Sequence, residues 1–230
     1  MHYLFSNVKF LLFRQGRNEE EFYASLGISH EMIFNMVTGS GTPSPEQLIL
    51  IADALSIPVD DILRKNLSIV SSAGDRLKML VTDVDGVMTD GGMYYSDSGL
   101  ELKKYNAKDG LALMRLEKNG IRTGMLSHGF NRPLIRNRAE MLGVSFSYTG
   151  QEKKAVIIEQ WAEKAGVALD EIAYIGDDIN DLDVMRKVGF SAAPSDASQA
   201  VRKEVHVVLS AKGGEGCVRE LAEMLFPQYF

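Results

Sequence analysis

The sequence predicts an α/β protein built on a doubly wound parallel sheet and preceded by a small all-α domain. Apolar residues recur at three- and four-residue spacing from residue 22 to residue 55, which is typical of packed helices. Later in the chain, short apolar runs alternate with helical stretches, and two of those runs end in clusters of aspartate. A length of 230 residues suits one α/β domain and one small helical domain. We therefore expect a helical domain over residues 1–68 and an α/β domain over residues 75–230, with a linker at residues 68–75.

The helical domain is predicted to contain a helix-turn-helix. Residues 19–26 and 30–37 have helical spacing and flank a tight turn at residues 27–29. Ser44 and Pro45 then supply an N-cap and a first helical residue for the next helix, and one more short helix follows it. This segment resembles the helix-turn-helix domain of the phage-repressor class. An apolar run near the start of the chain is too short and too poorly flanked for a signal peptide.

Charge disfavours DNA as the partner of this domain. Residues 1–70 carry five basic and eight acidic side chains, a net charge of −3. Residues 29–37, which the resemblance makes the recognition helix, contain no lysine or arginine. Because contacts from basic side chains to phosphates supply nearly all non-specific affinity, such a module binds DNA weakly. A module that assists assembly or binds a protein partner is the favoured interpretation, with sequence-specific DNA binding as the alternative.

The most informative stretch follows the first predicted strand of the α/β domain. The apolar run at residues 77–82 leads directly into Asp83, Val84, Asp85 and Gly86. Two carboxylates one residue apart, at a strand end and beside a glycine that permits a turn, can reach one site from opposite sides of that turn. These two side chains are therefore candidates for binding a cation and for presenting a nucleophile.

A second acidic cluster follows the apolar run at residues 172–175 and contains Asp177, Asp178 and Asp181. The carboxyl ends of parallel strands lie at one edge of the sheet, where α/β proteins bind their ligands, so this cluster is expected to meet the first. Like charges so close are costly unless a cation neutralises them, and Mg2+, a hard cation that prefers oxygen ligands, is the expected occupant. The combination suits phosphoryl transfer, in which the metal screens a phosphate from an attacking carboxylate.

Two further elements are predicted to complete the site. The apolar run at residues 121–126 ends in Ser127 and His128, which offer a hydroxyl and backbone N–H groups to a phosphate. Lys154 opens a predicted helix that extends to Ala165, and its ammonium is placed to pair with both a phosphate and an aspartate. His128 stands at the mouth of the expected site and is a candidate for contact with a substrate.

Five segments of the α/β domain together carry a family resemblance. They are Asp83-Val-Asp-Gly-Val-Met-Thr-Asp-Gly91, Asn106-Ala-Lys-Asp-Gly110, Lys154, Ala173-Tyr-Ile-Gly-Asp-Asp178 and Gly213-Gly-Glu-Gly216. With them, the chain from about residue 77 to residue 226 resembles the haloacid dehalogenase superfamily of phosphohydrolases. Within that superfamily it is similar to the capless branch that dephosphorylates 3-deoxy-ulosonate phosphates. The resemblance implies a Rossmann-like sheet without a cap domain.

The resemblance also implies a role for each acidic residue of the first cluster. Asp83 would be the nucleophile that becomes an aspartyl-phosphate. Asp85 would be the general acid and base, which protonates the leaving alkoxide and then activates water. Mg2+ would be held by Asp83, Asp177 and the backbone carbonyl of Asp85.

The remaining roles follow from the same resemblance. Ser127 and Lys154 would bind the oxygens of the phosphoryl group. Either Asp178 or Asp181 would orient the ammonium of Lys154 from behind the metal ligands.

Spacing leaves no room for a cap domain. Only 43 residues separate Asp83 from Ser127, and only 22 lie between Lys154 and Asp177, whereas a domain usually needs at least about 50 residues. The first gap is instead predicted to hold a hairpin over residues 93–105. An uncapped site must take its selectivity from elsewhere, most simply from a neighbouring subunit.

The capless ulosonate phosphatases are tetramers in which hairpins and C-terminal tails close the sites of their neighbours. By resemblance we expect a homotetramer here, with residues 213–216 approaching a neighbouring subunit. The alternative interpretation of these residues is a flexible turn before the last predicted helix, Cys217–Leu225.

The substrate is less sharply specified than the reaction. The resemblance makes Thr89, Lys108 and His128 candidates for binding substrate. Many phosphatases of ulosonate 8-phosphates carry arginine where Lys108 and Glu215 stand here, and neither residue reproduces an arginine fork around a carboxylate. A 3-deoxy-D-manno-octulosonate 8-phosphate, an intermediate of lipopolysaccharide biosynthesis, is the first expectation. A nine-carbon, sialic-acid-like 9-phosphate is the alternative, because residues 89–95 look closer to that class.

Bulk composition agrees with a cytoplasmic enzyme. The net charge of −6 disfavours nucleic acid and anionic membranes. The single cysteine, Cys217, excludes an internal disulfide, and no apolar run approaches the roughly 18 residues of a membrane span. The competing class is a DNA-binding regulator whose C-terminal domain senses a sugar phosphate.

Overall fold

The computed structural model describes residues 3–38 and 40–230. The chain divides into two compact units, Met1–Val70 and Ser71–Phe230. The described part of the first unit is helical, and the second carries a six-stranded parallel sheet flanked by helices. This confirms the predicted fold class.

The first unit contains the expected helix-turn-helix. Its helices are α1 (Leu4–Gln15), α2 (Glu19–Ser25), α3 (His30–Val37), α4 (Pro45–Ala54) and α5 (Val59–Arg64). Ser29 caps α3 by accepting a hydrogen bond from the Met32 amide, and Ser44 forms a capping box with Gln47 at the start of α4. The sequence did not predict α1, whose residues Leu4, Val8 and Leu12 share one fully buried face.

The segment predicted as a linker is helical. Helix α6, Leu67–Gly74, covers most of residues 68–75. Val70 and Ala73 stand three residues apart and are both buried. Apolar residues at this spacing favour a helix despite the small residues around them.

The second unit is a doubly wound sheet. Its strands are β1 (Met79–Asp83), β4 (Arg122–Ser127), β5 (Phe146–Thr149), β6 (Ile172–Ile175), β7 (Phe190–Ala193) and β8 (Val207–Val208), in the order β5-β4-β1-β6-β7-β8. Its helices are α7 (Ala107–Lys118), α8 (Arg132–Leu142), α9 (Lys154–Ala165), α10 (Leu182–Met185), α11 (Gln199–Glu204) and α12 (Cys217–Leu225). Nowhere in residues 3–38 and 40–230 does a helix combine the length and the apolarity that crossing a bilayer requires.

Strand β1 occupies the centre of the sheet, and its register places the acidic clusters side by side. It pairs in parallel with β4 on one side and β6 on the other, with Asp83 opposite Leu126 and Thr82 opposite Ile175. All five residues of β1 are buried. The residues just beyond the carboxyl ends of β4 and β6 therefore flank Asp83 at one edge of the sheet.

A two-stranded hairpin lies between β1 and α7, as predicted. Its strands, β2 (Tyr94–Tyr95) and β3 (Glu101–Leu102), pair antiparallel. The turn between them is closed by a hydrogen bond of 2.9 Å from the Ser96 amide to the Leu100 carbonyl. The hairpin and α7 account for the structure between the first aspartate pair and β4, so the uncapped architecture that the spacing predicted is confirmed.

Candidate active site

The turn after β1 presents Asp83 at the base of a cleft. The Asp83 side chain is buried, and the chain turns through Gly86, whose φ is +86°. A Cβ atom on Gly86 would lie 2.1 Å from Oδ2 of Asp177, the first acidic residue after β6. The turn can pack this closely against the second acidic cluster only because residue 86 is a glycine.

Lys154 joins the two acidic clusters. It is the first residue of α9, and its side chain is only 1% exposed. Its Nζ lies 2.8 Å from Oδ1 of Asp83 and 2.7 Å from Oδ1 of Asp181. An ammonium so thoroughly desolvated is stable only with such partners. The structure therefore pairs Lys154 with aspartates, as the sequence predicted, and its contact with a phosphate stays a prediction.

Asp181 is held rigidly behind Lys154. The Tyr174 hydroxyl donates to Oδ1 of Asp181, while Oδ2 accepts the amide of Asp177 at 3.0 Å and that of Asp178 at 3.3 Å. Both carboxylate oxygens are thus occupied by protein donors. Of the two residues expected to orient Lys154, Asp181 is the one in contact with its ammonium.

Asp178 has a different position from the one expected. Its carboxylate accepts a hydrogen bond of 2.8 Å from the Ile179 amide and caps the short turn that follows β6. The side chain is at the protein surface. Asp178 lines the cleft without contacting Lys154.

The electrostatics of the site show negative charge in excess. Burial, and then the charge of Asp181, raises the pKa of Asp83 well above its usual range, against the opposing effect of Lys154. The same two causes raise the pKa of Asp177 to about 6. Burial alone would lower the pKa of Lys154, but the charges of Asp83 and Asp181 raise it. Three carboxylates share one ammonium, so further positive charge would be favourable here.

The donor set fits a divalent cation. One carboxylate oxygen from each of Asp83, Asp177 and Asp181 lies within 4.8 Å of the others. Hard cations prefer oxygen ligands of this kind. Both oxygens of Asp181 already accept hydrogen bonds from protein donors, so we expect Asp83 and Asp177 to be the ligands.

Asp85 meets two other groups in the same cleft. Its Oδ2 accepts a hydrogen bond of 3.1 Å from the Ser127 hydroxyl at the end of β4, and that hydroxyl accepts the Gly129 amide at 2.8 Å. Its Oδ1 forms an ion pair with Nζ of Lys103, from the segment that follows β3. The sequence interpretation placed Asp85 and Ser127 in the site and missed Lys103.

His128 stands on the wall of the cleft. Its Nε2 donates to the Glu152 carbonyl at 2.8 Å, and its Nδ1 lies 3.5 Å from the side-chain nitrogen of Asn180. The cleft has a volume of about 580 Å³ and is also lined by Tyr95 and Phe130. This volume suits a ligand of the size of a sugar phosphate.

Two residues predicted to bind substrate do not reach the cleft. Thr89 is buried, and its hydroxyl donates to the Val84 carbonyl at 3.3 Å and accepts the Gly91 amide at 3.3 Å, so it closes the turn after β1. Lys108 is an exposed residue in the first turn of α7 and is not among the residues lining the cleft. Both lie close in sequence to site residues, but the Thr89 hydroxyl is engaged within its own turn and Lys108 stands at the surface of α7.

The glycine-rich segment before α12 supports the turn after β1. The Gly214 amide donates to the Val87 carbonyl at 2.8 Å, and its own carbonyl accepts from the Asn106 side chain at 3.3 Å. A Cβ atom on Gly213 would lie 2.1 Å from the Gly86 carbonyl oxygen. The segment therefore packs on the turn after β1 of its own chain, and the predicted approach to a neighbouring subunit stays a prediction.

Comparison with family models matches both units. A haloacid dehalogenase-like hydrolase model matches residues 105–189, and a helix-turn-helix model matches residues 9–62. A 3-deoxy-D-manno-octulosonate 8-phosphate phosphatase from Escherichia coli strain K12 is 34% identical over 156 residues, which is 68% of this chain and 82% of the relative.

Two solved structures illustrate the structural likeness. The 3-deoxy-D-manno-octulosonate 8-phosphate phosphatase of Moraxella catarrhalis, in complex with magnesium ion, phosphate ion and a KDO molecule, is 31% identical. Its likeness covers 70% of this chain and 91% of that one, with a TM-score of 0.66. The cobalt-bound deoxy-D-mannose-octulosonate 8-phosphate phosphatase of Haemophilus influenzae is 34% identical over 68% of this chain and 91% of that one, with a TM-score of 0.65.

Proposed function

This chain belongs to the haloacid dehalogenase-like hydrolase family and is a phosphoric monoester hydrolase, and we propose that its substrate is a 3-deoxy-ulosonate phosphate of the 3-deoxy-D-manno-octulosonate 8-phosphate type. Two observations carry the proposal. The identity of 34% extends over 156 residues, and Asp83, Asp85, Lys154 and Asp177 meet around one cleft.

We assign the first chemical step to Asp83 and Asp85. A carboxylate oxygen of Asp83 attacks phosphorus, the bond from phosphorus to the substrate oxygen breaks, and an aspartyl-phosphate forms. Asp85, protonated at the start of this step, gives its proton to the departing oxygen, so an alcohol leaves and Asp85 becomes a carboxylate. Lys154, fixed beside Asp83 at 2.8 Å, offsets the charge that the phosphoryl oxygens bring into a buried site.

The second step returns the enzyme to its starting state. Asp85, now a carboxylate, takes a proton from water, whose oxygen attacks the phosphorus of the aspartyl-phosphate. The bond to Asp83 breaks, inorganic phosphate leaves, and Asp85 is again protonated. Ser127 supports both steps through its hydrogen bond of 3.1 Å to Asp85, and we propose that its neighbouring amides bind a phosphoryl oxygen.

We propose Mg2+ as the divalent cation of the site. Asp83, Asp177 and the backbone carbonyl of Asp85 would hold it. When bound, the cation supplies Lewis-acid neutralisation of the phosphoryl oxygens, which lets one anion approach another. The pKa of Asp177 is raised to about 6, which shows that its negative charge is poorly compensated by Lys154 alone. This supports a bound cation at the site.

A substrate panel tests the proposal. Release of inorganic phosphate is measured for eight-carbon and nine-carbon ulosonate phosphates and for hexose phosphates, with Mg2+ and with a chelator. We expect the eight-carbon 8-phosphate to give the highest kcat/KM, and we expect chelation to stop turnover until Mg2+ is added back. A preference for the nine-carbon 9-phosphate would replace the substrate with the alternative and keep the chemistry. Turnover that persists in the chelator would contradict the metal assignment.

For the helix-turn-helix unit we propose a protein contact in preference to DNA. Helix α3 exposes Phe34 and Val37, which are 66% and 58% accessible. Two of the basic residues of this unit are engaged in ion pairs, Arg64 with Asp60 at 2.7 Å and Lys65 with Asp61 at 2.6 Å. Little positive charge is therefore left for phosphates.

A gel shift of the full chain with genomic DNA fragments at low salt tests this. We expect no shifted DNA band at protein concentrations at which a basic repressor domain shifts the same fragments. A shifted band that is lost on Asn35→Ala, within α3, would establish DNA recognition and contradict the proposal.

We also propose that this chain forms a homotetramer. Light scattering of the same sample would measure the mass of the assembly and so the number of subunits.

A further inference from the structure

Both oxygens of the Asp85 carboxylate are held by other side chains. Oδ1 lies in an ion pair with Nζ of Lys103, and Oδ2 accepts the Ser127 hydroxyl at 3.1 Å. The carboxylate is thus fixed from the hairpin on one side and from the end of β4 on the other. A carboxylate with two anchors has far fewer orientations than one that only faces solvent.

Lys103 is itself held in place. Its side chain is 5% exposed, and its Nζ lies 2.9 Å from Oε1 of Glu101, whose side chain is 16% exposed. Glu101 and Lys103 are two residues apart on an extended segment and so point to the same side, while Leu102 between them is exposed. The ammonium therefore faces the cleft as part of the hairpin, which also contributes Met93 and Tyr95 to the cleft wall.

Lys103 and Lys154 form ion pairs with different carboxylates. Lys154 contacts Asp83 and Asp181, whereas Lys103 contacts Asp85 and Glu101. The nucleophile and the proposed acid and base thus each have a separate buried ammonium. This division leaves the orientation of Asp85 dependent on the hairpin.

We propose that Lys103 is a positioning residue for the phosphatase reaction and that it directs the carboxyl group of Asp85 at the leaving oxygen of the substrate. This inference rests on the proposed function, in which Asp85 protonates that oxygen. Lys103 acts through Asp85 and makes no bond to the reacting atoms. Glu101 supports it by fixing the ammonium on the cleft side of the hairpin.

The leaving group provides a readout that a merely structural role would not change. An alkoxide leaves slowly unless it is protonated, so hydrolysis of an alkyl phosphate needs a well-placed Asp85. A p-nitrophenolate leaves without a proton. A positioned general acid contributes about 10²- to 10⁴-fold, and misplacing Asp85 should therefore slow alkyl esters much more than aryl esters.

The experiment compares kcat/KM of the full chain for p-nitrophenyl phosphate, glycerol phosphate and the ulosonate 8-phosphate. For Lys103→Met we expect a loss of about 100-fold on both alkyl phosphates and less than about threefold on the aryl phosphate. Lys103→Arg should restore part of the alkyl activity. Glu101→Gln should show the same pattern with a smaller loss, which provides a second test should Lys103→Met fail to fold. The matched control is Lys104→Met, because the Lys104 side chain is 69% exposed and its Nζ lies 3.8 Å from Oδ2 of Asp90. We expect its kcat/KM to equal that of the wild type on all three substrates.

Two outcomes would overturn the inference. An equal loss on all three substrates would make Lys103 a structural residue only. A loss confined to the ulosonate 8-phosphate would make it a direct ligand of the substrate carboxylate. Failure of the proposed function looks different: a wild-type chain that hydrolyses p-nitrophenyl and glycerol phosphates and leaves the ulosonate untouched loses only its substrate assignment.

Discussion

Lys154→Met is expected to destabilise the chain by about 3–5 kcal/mol and to remove measurable phosphatase activity. The ammonium is 1% exposed and is shared by Asp83 and Asp181, which are themselves buried. Removing it leaves two carboxylates without a counter-charge in a poorly solvated site. Methionine fills a similar volume, so the expected loss comes from charge and not from a cavity.

Denaturant unfolding in the presence of a chelator measures this effect. The matched control is Lys153→Met, because Lys153 is the exposed neighbour at the start of α9, and we expect its free energy of unfolding to equal that of the wild type. Adding Asp181→Asn to Lys154→Met should recover part of the lost stability, since one of the unpaired charges is then gone. Unchanged stability of Lys154→Met would show that the buried ion pairs are not formed in solution.

Asp83→Asn is expected to lower kcat by at least about 10⁴-fold on every phosphate ester, aryl esters included. An amide of the same shape has no anionic oxygen to attack phosphorus. Because burial and Asp181 raise the pKa of Asp83, its ionised form is unfavourable in the folded state. The neutral asparagine should therefore leave the metal-free chain as stable as the wild type or more so.

Phosphate release and thermal unfolding in the presence of a chelator check both parts of this expectation. Asp183→Asn is the matched control, since Asp183 is an exposed residue of α10 outside the cleft, and it should keep full activity. Substantial turnover by Asp83→Asn would exclude Asp83 as nucleophile. A marked fall in its unfolding temperature would show that the loss of activity reports misfolding.

The sequence predicted much of this site because parallel topology leaves little choice. Once residues 77–82 and 172–175 are accepted as strands of one sheet, their carboxyl ends must lie at one edge. Asp83, Asp177 and Asp181 therefore come together for a reason that is visible in the chain. Lys154 was predictable for a related reason, since it starts the helix that enters from the same edge.

The contacts that the sequence did not predict depend on how separate elements pack against each other. Lys103 and Asp85 are 18 residues apart, and their contact exists only because the hairpin folds back over the cleft. The pattern Glu101-Leu102-Lys103, with two charges on one side of a strand, was the available signal. Thr89 was expected to bind substrate, but its hydroxyl hydrogen-bonds within the turn in which it lies. That local contact was not visible in the sequence pattern.

The central claim is that Asp83 carries the phosphoryl group between the two steps. The most direct test is to mix an Asp85→Asn variant with p-nitrophenyl phosphate, quench with acid and locate the phosphoryl group by peptide mass spectrometry. The p-nitrophenolate leaving group needs no proton, so the first step still proceeds in this variant. The second step is slow because the variant lacks the Asp85 base. We therefore expect phosphate on the peptide that contains Asp83. The signal should vanish when Asp83→Asn is added. A phosphoryl group found on another residue, or turnover with no phosphorylated Asp83 at any quench time, would contradict the mechanism.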